Sequence, residues 1–366
     1  MKNNEFYLSA PNILVLDSTK LCNLRCIFCR PDTIFCGSDR KINRKELTTK
    51  EIKKLISDAS KMGTFMFEIC GGEPLLRKDF CELAKYADDK GLEVLSSTNG
   101  TLITDKLARQ IKNSKIKKIQ VSIDGSNKEI HEKMRGVTGS FKLAIGGAKK
   151  LIRNNVKVSI GTVITKLNFN NIESIVDLSY EMGAVGWRGL SLIPNGRAIG
   201  IYKKLTPSFE NMKKLYQRLK IKSKQYGNGF LVEMENPFCM YNLKTSISTN
   251  FTCSIDKTSI AGCSAGISEV YINSFGDVYP CRQLVDKRFC VGSIRKKSII
   301  SIWRDPKTFF QFRNRTKSIK GKCKKCKLLK FCKGGCAYFA YVLSKNAFRP
   351  DPRCKFTKST NPNLFR

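Results

Sequence analysis

The chain has 366 residues, 41% hydrophobic and 10% aromatic, which is enough to bury the core of one large domain or two ordinary ones. No apolar run approaches the roughly 18 residues that cross a bilayer. The first residues contain no apolar signal segment, so the composition excludes a membrane protein, argues against a secreted one and predicts a cytoplasmic protein. The net charge of +37 indicates an anionic partner, such as RNA or an acidic peptide, or a generally lysine-rich proteome.

From residue 12 to about 194, short apolar runs alternate with amphipathic stretches. This pattern predicts an α/β fold with a parallel sheet or an open barrel. Thr48 and Glu51 have the spacing of a capping box at the start of the first helix. The predicted strands are Ile13–Leu16, Phe65–Cys70, Leu92–Ser96, Ile116–Ile123, Val156–Ile164 and Val185–Ile193. Further helices are predicted over Asp79–Asp89, Thr104–Asn113, Phe141–Asn154 and Asn171–Met182.

The rhythm changes after Pro194, where a helix over Ser208–Lys224 and a strand over Phe230–Met234 are predicted before a cysteine-rich region. We therefore predict a barrel domain over residues 1–200, a connecting helix and strand over 201–235, and a cysteine-rich domain over 236–366. Between Arg282 and Lys333 there are 18 Lys or Arg residues and two Asp. This segment is too polar for a large core, so we expect bound metal to hold it together.

Sixteen cysteines in a reducing compartment indicate metal binding or redox chemistry rather than disulfides. Cys22, Cys26 and Cys29 follow the first predicted strand with C-x3-C-x2-C spacing. Thiolates are soft ligands that favour iron–sulfur clusters or zinc. Three thiolates on a four-iron cluster leave one iron open to bind a substrate or a cofactor.

This loop and its position resemble the signature of the radical S-adenosylmethionine (SAM) enzymes. The resemblance implies that Cys22, Cys26 and Cys29 hold a catalytic 4Fe–4S cluster whose open iron chelates SAM. One electron, from flavodoxin or ferredoxin, then cleaves SAM to a 5′-deoxyadenosyl radical that removes hydrogen from an unactivated C–H bond. A zinc site is the alternative for the spacing alone.

Companion motifs at the ends of later strands strengthen the resemblance. In Gly71-Gly72-Glu73-Pro74 the glycines let backbone carbonyls approach a ligand, and Glu73 can accept from the SAM ammonium. Arg135 is suited to a two-pronged contact with the SAM carboxylate. The resemblance implies that SAM contacts Phe28, Gly71, Gly72, Glu73, Asn99, Ser122, Asp124 and Arg135.

His131 is the only histidine, which nearly excludes a histidine-based zinc hydrolase and a Ser-His-Asp triad. We interpret it as a residue on a helix face or at a helix cap.

Seven C-terminal cysteines resemble the SPASM extension of radical SAM enzymes. Cys263 is followed by Gly276 and Cys281, and the later cysteines have C-x2-C-x5-C-x3-C spacing with one more beyond it. Zinc ribbons are the alternative for such pairs. The resemblance implies a second auxiliary 4Fe–4S cluster, held by Cys323, Cys326, Cys332 and Cys354. It implies a first auxiliary cluster held by Cys263, Cys281, Cys336 and an upstream residue: Cys253, with Cys239 in reserve, or an open iron.

Relatives with two auxiliary clusters mostly modify peptides or proteins. The resemblance therefore implies a maturase of ribosomally made peptides (RiPPs) that installs a thioether or carbon–carbon crosslink or oxidises a side chain. An anaerobic sulfatase maturase, or an enzyme that modifies a cofactor or haem precursor, is the alternative. A basic RNA-binding metal protein is the non-enzyme alternative, but no recognised RNA-binding motif accompanies the charge.

Arg282 bears on the substrate because sulfatase maturases usually carry an Asp base directly after the cysteine that corresponds to Cys281. Arginine stays protonated and cannot accept a proton, so Arg282 favours peptide maturation. A guanidinium also suits a precursor peptide with acidic stretches. The chain starts at the barrel, so we expect either a separate leader-peptide-binding protein or a short substrate.

Metal analysis tests the cluster assignment. Protein reconstituted anaerobically should be brown and contain about twelve irons, four in each of three clusters. Colourless protein that binds zinc and little sulfide would contradict the radical SAM interpretation.

Overall fold

The computed structural model describes residues 8–30, 33–36, 44–235, 262–327 and 329–354, and the backbone of 251–253. No helix in this part of the chain is long and apolar enough to cross a membrane. The strands are β1 Ile13–Asp17, β2 Leu21–Cys22, β3 Ile34–Phe35, β4 Met66–Cys70, β5 Glu93–Thr98, β6 Lys118–Ser122, β7 Val158–Ile164, β8 Gly186–Ser191, β9 Leu231–Met234, β10 Phe251–Cys253, β11 Glu269–Ile272, β12 Asp277–Tyr279 and β13 Gly292–Ser293.

The helices alternate with the strands up to β9 and then become short. They are α1 Thr49–Met62, α2 Phe80–Asp89, α3 Asp105–Asn113, α4 Lys128–Arg135, α5 Ser140–Arg153, α6 Ile172–Glu181, α7 Tyr202–Leu205, α8 Phe209–Lys222, α9 Ile299–Arg304, α10 Phe310–Arg313, α11 Arg315–Ser318, α12 Leu329–Cys332 and α13 Ala337–Ser344.

The described residues divide into two compact units. The first unit lies within residues 1–20, 41–95 and 261–360, and the second within 21–40, 96–260 and 361–366. The domain boundaries predicted at residues 200 and 235 stay a prediction, since a division into compact units does not define domain boundaries.

In the first unit, β1 lies between β4 and β11 and runs parallel to both. Val15 lies opposite Glu68 on β4 and Tyr271 on β11. The sheet continues antiparallel through β12 and β13. The cysteine-rich region therefore contributes a strand beside the first strand of the chain, a pairing that the sequence did not predict.

Helix α1 shows how local sequence fixes an element of the first unit. The Thr48 hydroxyl accepts from the Glu51 amide at 3.2 Å, and the Glu51 carboxylate accepts from the Thr48 amide at 2.8 Å. The predicted capping box is thus confirmed. The helix ends at Gly63, whose φ of 92° lies in the left-handed region that favours glycine.

In the second unit, strands β6 to β10 are parallel and adjacent in chain order. Trp187 on β8 is fully buried and donates through Nε1 to Thr162 Oγ1 on β7 at 2.8 Å. Gly189 leaves room for this ring, because a Cβ there would lie 2.5 Å from the indole.

All six strands predicted before Pro194 are present, as β1 and β4 to β8, and the predicted helices match α1, α2, α3, α5, α6 and α8. The strand predicted at Phe230–Met234 is β9. Parallel strands alternating with helices are the pattern of a partial (β/α)6 TIM-type barrel. Helix α4 and strands β11 to β13 were not predicted.

Replacing Thr48 with Ala should lower the free energy of unfolding by about 1 kcal/mol, because the helix loses one side of its capping box. Denaturant titration measures this change. The matched variant Thr48→Ser keeps the hydroxyl and should stay close to wild type, whereas equal losses in both variants would contradict the capping role.

Candidate functional site

The C-x3-C-x2-C loop begins at the end of β2 in the second unit. Cys22 and Cys26 are buried, at 6% and 7% exposure, and pack together with Leu24. Cys29 and Phe28 pack against the same cluster. The structure therefore brings together the three predicted cluster ligands and one predicted SAM contact.

The C-terminal end of α4 holds the loop by backbone hydrogen bonds. The Arg25 amide donates to the Arg135 carbonyl at 3.1 Å, and the Ile27 amide donates to the Met134 carbonyl at 3.0 Å. Gly136 allows this close approach, because its φ is +71° and a Cβ there would lie 2.5 Å from the Arg25 carbonyl oxygen.

Arg197 also fixes the loop, and the sequence analysis missed it. Its Nε donates to the Cys26 carbonyl at 2.8 Å, and its amide donates to the Cys29 carbonyl at 3.0 Å. Arg197 follows β8 in a segment that the sequence analysis treated only as a boundary. Its place in the chain gave no signal of a role beside residues more than 160 positions earlier.

Arg135 lies at the centre of the buried polar contacts around the loop. Its Nε is 2.7 Å from Asp124 Oδ2, its Nη1 is 3.6 Å from Cys26 Sγ, and its guanidinium lies 5.4 Å from the Phe28 ring centre. Burial by itself lowers the pKa of Arg135, but Asp124 and Cys26 raise it overall. The arginine is therefore a fixed cation beside a predicted cluster ligand.

The Asp124 carboxylate is already paired with the Arg135 guanidinium, which affects the predicted contact between Arg135 and the SAM carboxylate. The proposed two-pronged binding of the SAM carboxylate would use the remainder of that guanidinium or displace Asp124. Burial raises the pKa of Asp124, and Arg135 offsets only part of that rise. The SAM contacts of both residues stay predictions.

His131 lies on the buried face of α4 at 1% exposure and binds the backbone of Asp124. The Asp124 amide donates to His131 Nδ1 at 3.2 Å, and the imidazole packs 5.5 Å from the Phe141 ring. Burial, with Arg135 adding to it, lowers the pKa of His131 to about 3. The histidine is therefore neutral and packs inside the unit, in line with its interpretation as a helix-face residue.

Asn99, at the end of β5, connects that strand to the cysteine loop. Its Nδ2 donates to Asn23 Oδ1 at 2.8 Å, and its Oδ1 accepts from the Thr101 amide at 2.9 Å. Asn23 in turn donates to Thr101 Oγ1 at 2.8 Å. Since Asn23 directly follows Cys22, this network fixes the start of the loop. Ser122, another predicted SAM contact, is the half-buried last residue of β6.

The Gly-Gly-Glu-Pro turn follows β4 in the first unit. Gly71 has a φ of +149°, and a Cβ there would lie 2.5 Å from the Thr19 carbonyl oxygen. The Gly72 amide donates to that same oxygen at 2.7 Å. Glu73 is 1% exposed and accepts from the Leu75 amide at 3.2 Å. Close backbone packing thus requires the first glycine, and the SAM contact of Glu73 stays a prediction.

Three of the C-terminal cysteines form one electrostatic group in the first unit. Burial raises the pKa of the Cys281 thiol, and Glu269, Cys263 and Cys336 raise it further. These three cysteines are the ligands predicted for the first auxiliary cluster. Of the two predicted fourth ligands, Cys253 has only its backbone described, in β10, and Cys239 lies outside the described residues.

The other four C-terminal cysteines form a second group. Burial raises the pKa of Cys323 to about 11, and three neighbouring thiols contribute to this rise: Cys332, Cys354 and Cys326. This is the set predicted for the second auxiliary cluster. Thiols that raise one another's pKa repel as thiolates, and iron would offset part of that repulsion by binding them deprotonated. The ligand roles themselves stay predictions.

The surroundings of Cys263 fit an anionic cluster. A cavity of about 110 Å³ beside this thiol is lined by Arg313, Arg315, Thr316 and Lys333. Cationic side chains offset the negative charge that four thiolates bring to a cluster.

Arg315 organises the turn between Cys332 and Cys336, and so connects the two cysteine groups. It is 2% exposed, donates to the carbonyls of residues 333–335, and donates to the Arg349 carbonyl at 2.8 Å. One guanidinium therefore serves several carbonyls that turn inward. No sequence pattern indicates this role, because the partners of Arg315 are carbonyls, which any residue type can present.

Arg282 is ion-paired with Glu68 on β4. The other Glu68 oxygen accepts from the Cys70 thiol at 3.1 Å. Although burial by itself lowers the pKa of Arg282, Glu68, Cys70 and Glu269 raise it overall. An acidic peptide would therefore have to compete with Glu68 for Arg282, since that carboxylate already balances the charge of the guanidinium.

Comparison with known proteins places this site in a family. Residues 16–179 match the family model of the radical SAM superfamily. Residues 263–327 match that of SPASM, an iron–sulfur cluster-binding domain. The SPASM match contains Cys263, Cys281, Cys323 and Cys326 and ends before Cys332.

Full-length relatives and solved structures agree with the family models. The chain is 30% identical to an AdoMet-dependent heme synthase of Methanosarcina barkeri, over 94% of this chain and 97% of that protein. It is 29% identical to the mycofactocin maturase MftC of Mycolicibacterium smegmatis, over 95% of this chain and 83% of that protein. The crystal structure of Streptococcus suis SuiB matches with a TM-score of 0.76 and 21% identity, over 94% of this chain and 77% of that chain.

The chain therefore belongs to the radical SAM superfamily of enzymes and carries a C-terminal SPASM domain. The predicted fold class, a partial TIM-type barrel followed by a SPASM domain, is confirmed. The family implies a SAM-binding 4Fe–4S cluster together with auxiliary iron–sulfur clusters.

Replacing Arg315 with Lys should destabilise the SPASM domain by about 3 kcal/mol, because an ammonium cannot reach the carbonyls that the planar guanidinium spans. The melting temperature and the iron bound per chain should both fall. The control Arg304→Lys changes an exposed arginine and should leave both unchanged. Wild-type iron content in Arg315→Lys would refute the organising role.

Proposed function

We propose that this enzyme is a radical SAM maturase that modifies a peptide substrate in the cytosol. The observation that carries the radical SAM part of the proposal is the packing of Cys22, Cys26 and Cys29 in one cluster. Neighbouring thiols also raise the pKa of Cys281 and of Cys323, which supports two further ligand groups in the SPASM region. MftC, a full-length relative at 29% identity, is named as a maturase. We infer three 4Fe–4S clusters and a small one-electron carrier, flavodoxin or ferredoxin, as the reductant.

In this proposal the cluster and SAM, when bound, supply a 5′-deoxyadenosyl radical that abstracts hydrogen from the substrate. Cys22, Cys26 and Cys29 would hold the cluster, and Cys22 and Cys26 are buried at that place. Arg135 would offset the charge of the thiolates and, with Asp124, would orient SAM. Glu73 would accept from the SAM ammonium, beside glycines that let the backbone approach a ligand.

A second candidate is the modification of an iron porphyrin. Its support is the relative named AdoMet-dependent heme synthase, which this chain matches over 97% of its length. Another relative, also of Methanosarcina barkeri, is named Fe-coproporphyrin III synthase and is 28% identical. Sulfatase maturation ranks lower, because Arg282 cannot act as a base and its partner Glu68 is held in an ion pair.

One assay separates these candidates. Reconstituted enzyme is incubated anaerobically with SAM and a reductant, and with one of three substrates: a precursor peptide encoded beside the gene, Fe-coproporphyrin III, or a sulfatase-type Cys-x-Pro-x-Arg peptide. Mass spectrometry measures 5′-deoxyadenosine and the mass of each substrate. We expect a mass change in the precursor peptide only, because the proposal places a peptide at the site.

The variant Cys22→Ala/Cys26→Ala/Cys29→Ala should form no 5′-deoxyadenosine, since no cluster remains to bind SAM. A mass change confined to Fe-coproporphyrin III would transfer the assignment to the porphyrin candidate. SAM cleavage by the triple variant would refute the radical SAM site itself.

A further inference from the structure

The segment that contains three of the second-group cysteines is unusually basic. Between residues 306 and 350 there are 13 Lys or Arg residues and neither Asp nor Glu. Elsewhere in the first unit several basic side chains have acidic partners, as in the pairs Arg44–Asp277 and Arg295–Glu51. The cations of this segment must find their counter-charge outside it.

Two groups of cations in the segment differ in burial. Arg315 is buried and Lys333 half-buried, and both line the cavity beside Cys263, where they offset thiolate charge. By contrast, Lys324, Lys325 and Lys327 are exposed, and no salt bridge of the described residues includes them. These three residues are called the lysine patch below.

The lysine patch directly adjoins thiols of the second group. Cys323 is 5% exposed, whereas Lys324 and Lys325 beside it are exposed. The Cys326 amide donates to the Cys323 carbonyl at 3.0 Å, which closes the turn between them. All three lysines of the patch lie within two residues of Cys326, whose thiol is half-buried. Adjacent Cα atoms are about 3.8 Å apart, so the three side chains leave the backbone close to this thiol.

Such a patch is not explained by the stability of the chain. Like charges close together repel, and exposed charges more than about 8–10 Å from a group act on it weakly through salt solution. A concentrated positive surface does, however, steer an acidic protein to one orientation and speeds its association. The patch also flanks Cys323 and Cys326, two of the cysteines proposed to bind the second auxiliary cluster.

We propose that the lysine patch is the docking surface for a small acidic one-electron carrier protein, which exchanges electrons with the second auxiliary cluster. The inference rests on the proposed function for the presence of that cluster. In the exchange the reduced carrier loses one electron and is oxidised, and the cluster gains that electron. An acidic protein fits better than RNA or a substrate peptide, because the cations surround metal-ligand cysteines rather than aromatic stacking residues.

The test uses the full chain and flavodoxin as the probe. The variant Lys324→Glu/Lys325→Glu/Lys327→Glu reverses the patch without changing a cysteine. The control Lys204→Glu/Lys213→Glu/Lys214→Glu reverses three exposed lysines on α7 and α8 and changes the net charge equally. Titration at low salt measures the flavodoxin Kd, and stopped-flow absorbance measures the rate of cluster reduction by flavodoxin hydroquinone.

We expect the patch variant to weaken flavodoxin binding at least about tenfold and to slow reduction in parallel, with little change in the control. Added salt should remove the difference between wild type and variant. Equal effects in both variants, or none in either, would overturn the proposal. So would loss of precursor peptide or RNA binding in the patch variant with flavodoxin binding unchanged.

Two further measurements keep the result interpretable. The neutral variant Lys324→Gln/Lys325→Gln/Lys327→Gln should show an intermediate effect with wild-type iron content and melting temperature. Photoreduced deazaflavin, a small reductant, should support wild-type 5′-deoxyadenosine formation in all variants. Absence of 5′-deoxyadenosine with every reductant would instead count against the proposed function and leave the binding data to decide the docking surface.

Discussion

Burying many sulfur ligands in one chain is the constraint on which the rest of this structure depends. A thiolate or an iron–sulfur cluster inside a protein carries negative charge that water does not solvate, so fixed cations must lie nearby. In the second unit Arg135 meets this need beside Cys26. In the first unit Arg315 and Lys333 lie at the cavity beside Cys263. Some of the basic residues behind the +37 net charge thus lie beside buried sulfur ligands, and others lie at the surface.

Arginine does more than balance charge at these places. Arg197 and Arg315 bind backbone carbonyls, and each holds a loop that has little regular secondary structure of its own. A planar guanidinium satisfies several carbonyls that would otherwise be buried without partners. Arg315 therefore contributes to the C-terminal region beside the metal that we expect to hold it together. Trp303 and Phe312 are also buried there, and add a hydrophobic contribution.

A carboxylate of the first unit, Glu68, changes the interpretation of Arg282. In the sequence, Arg282 stands alone where sulfatase maturases carry an Asp. In the structure it is paired with Glu68, which is 214 residues away in the chain. That pair removes a base from this position and also weakens the argument for an acidic substrate. The lysine patch is an exposed positive surface beside two predicted cluster ligands and is in no salt bridge of the described residues, which is why we relate it to a redox partner.

The sequence by itself determined the alternation of strands and helices, the capping box of α1 and the cysteine spacings, because periodicity, caps and ligand spacing are local properties of a chain. It also determined the family, since the motifs occur in a specific order. Tertiary structure alone decided that β11 pairs with β1, that Asp124 binds Arg135 and that Arg315 holds the turn between Cys332 and Cys336. These contacts join residues through strand register, burial and backbone carbonyls, none of which leaves a pattern in the order of side chains.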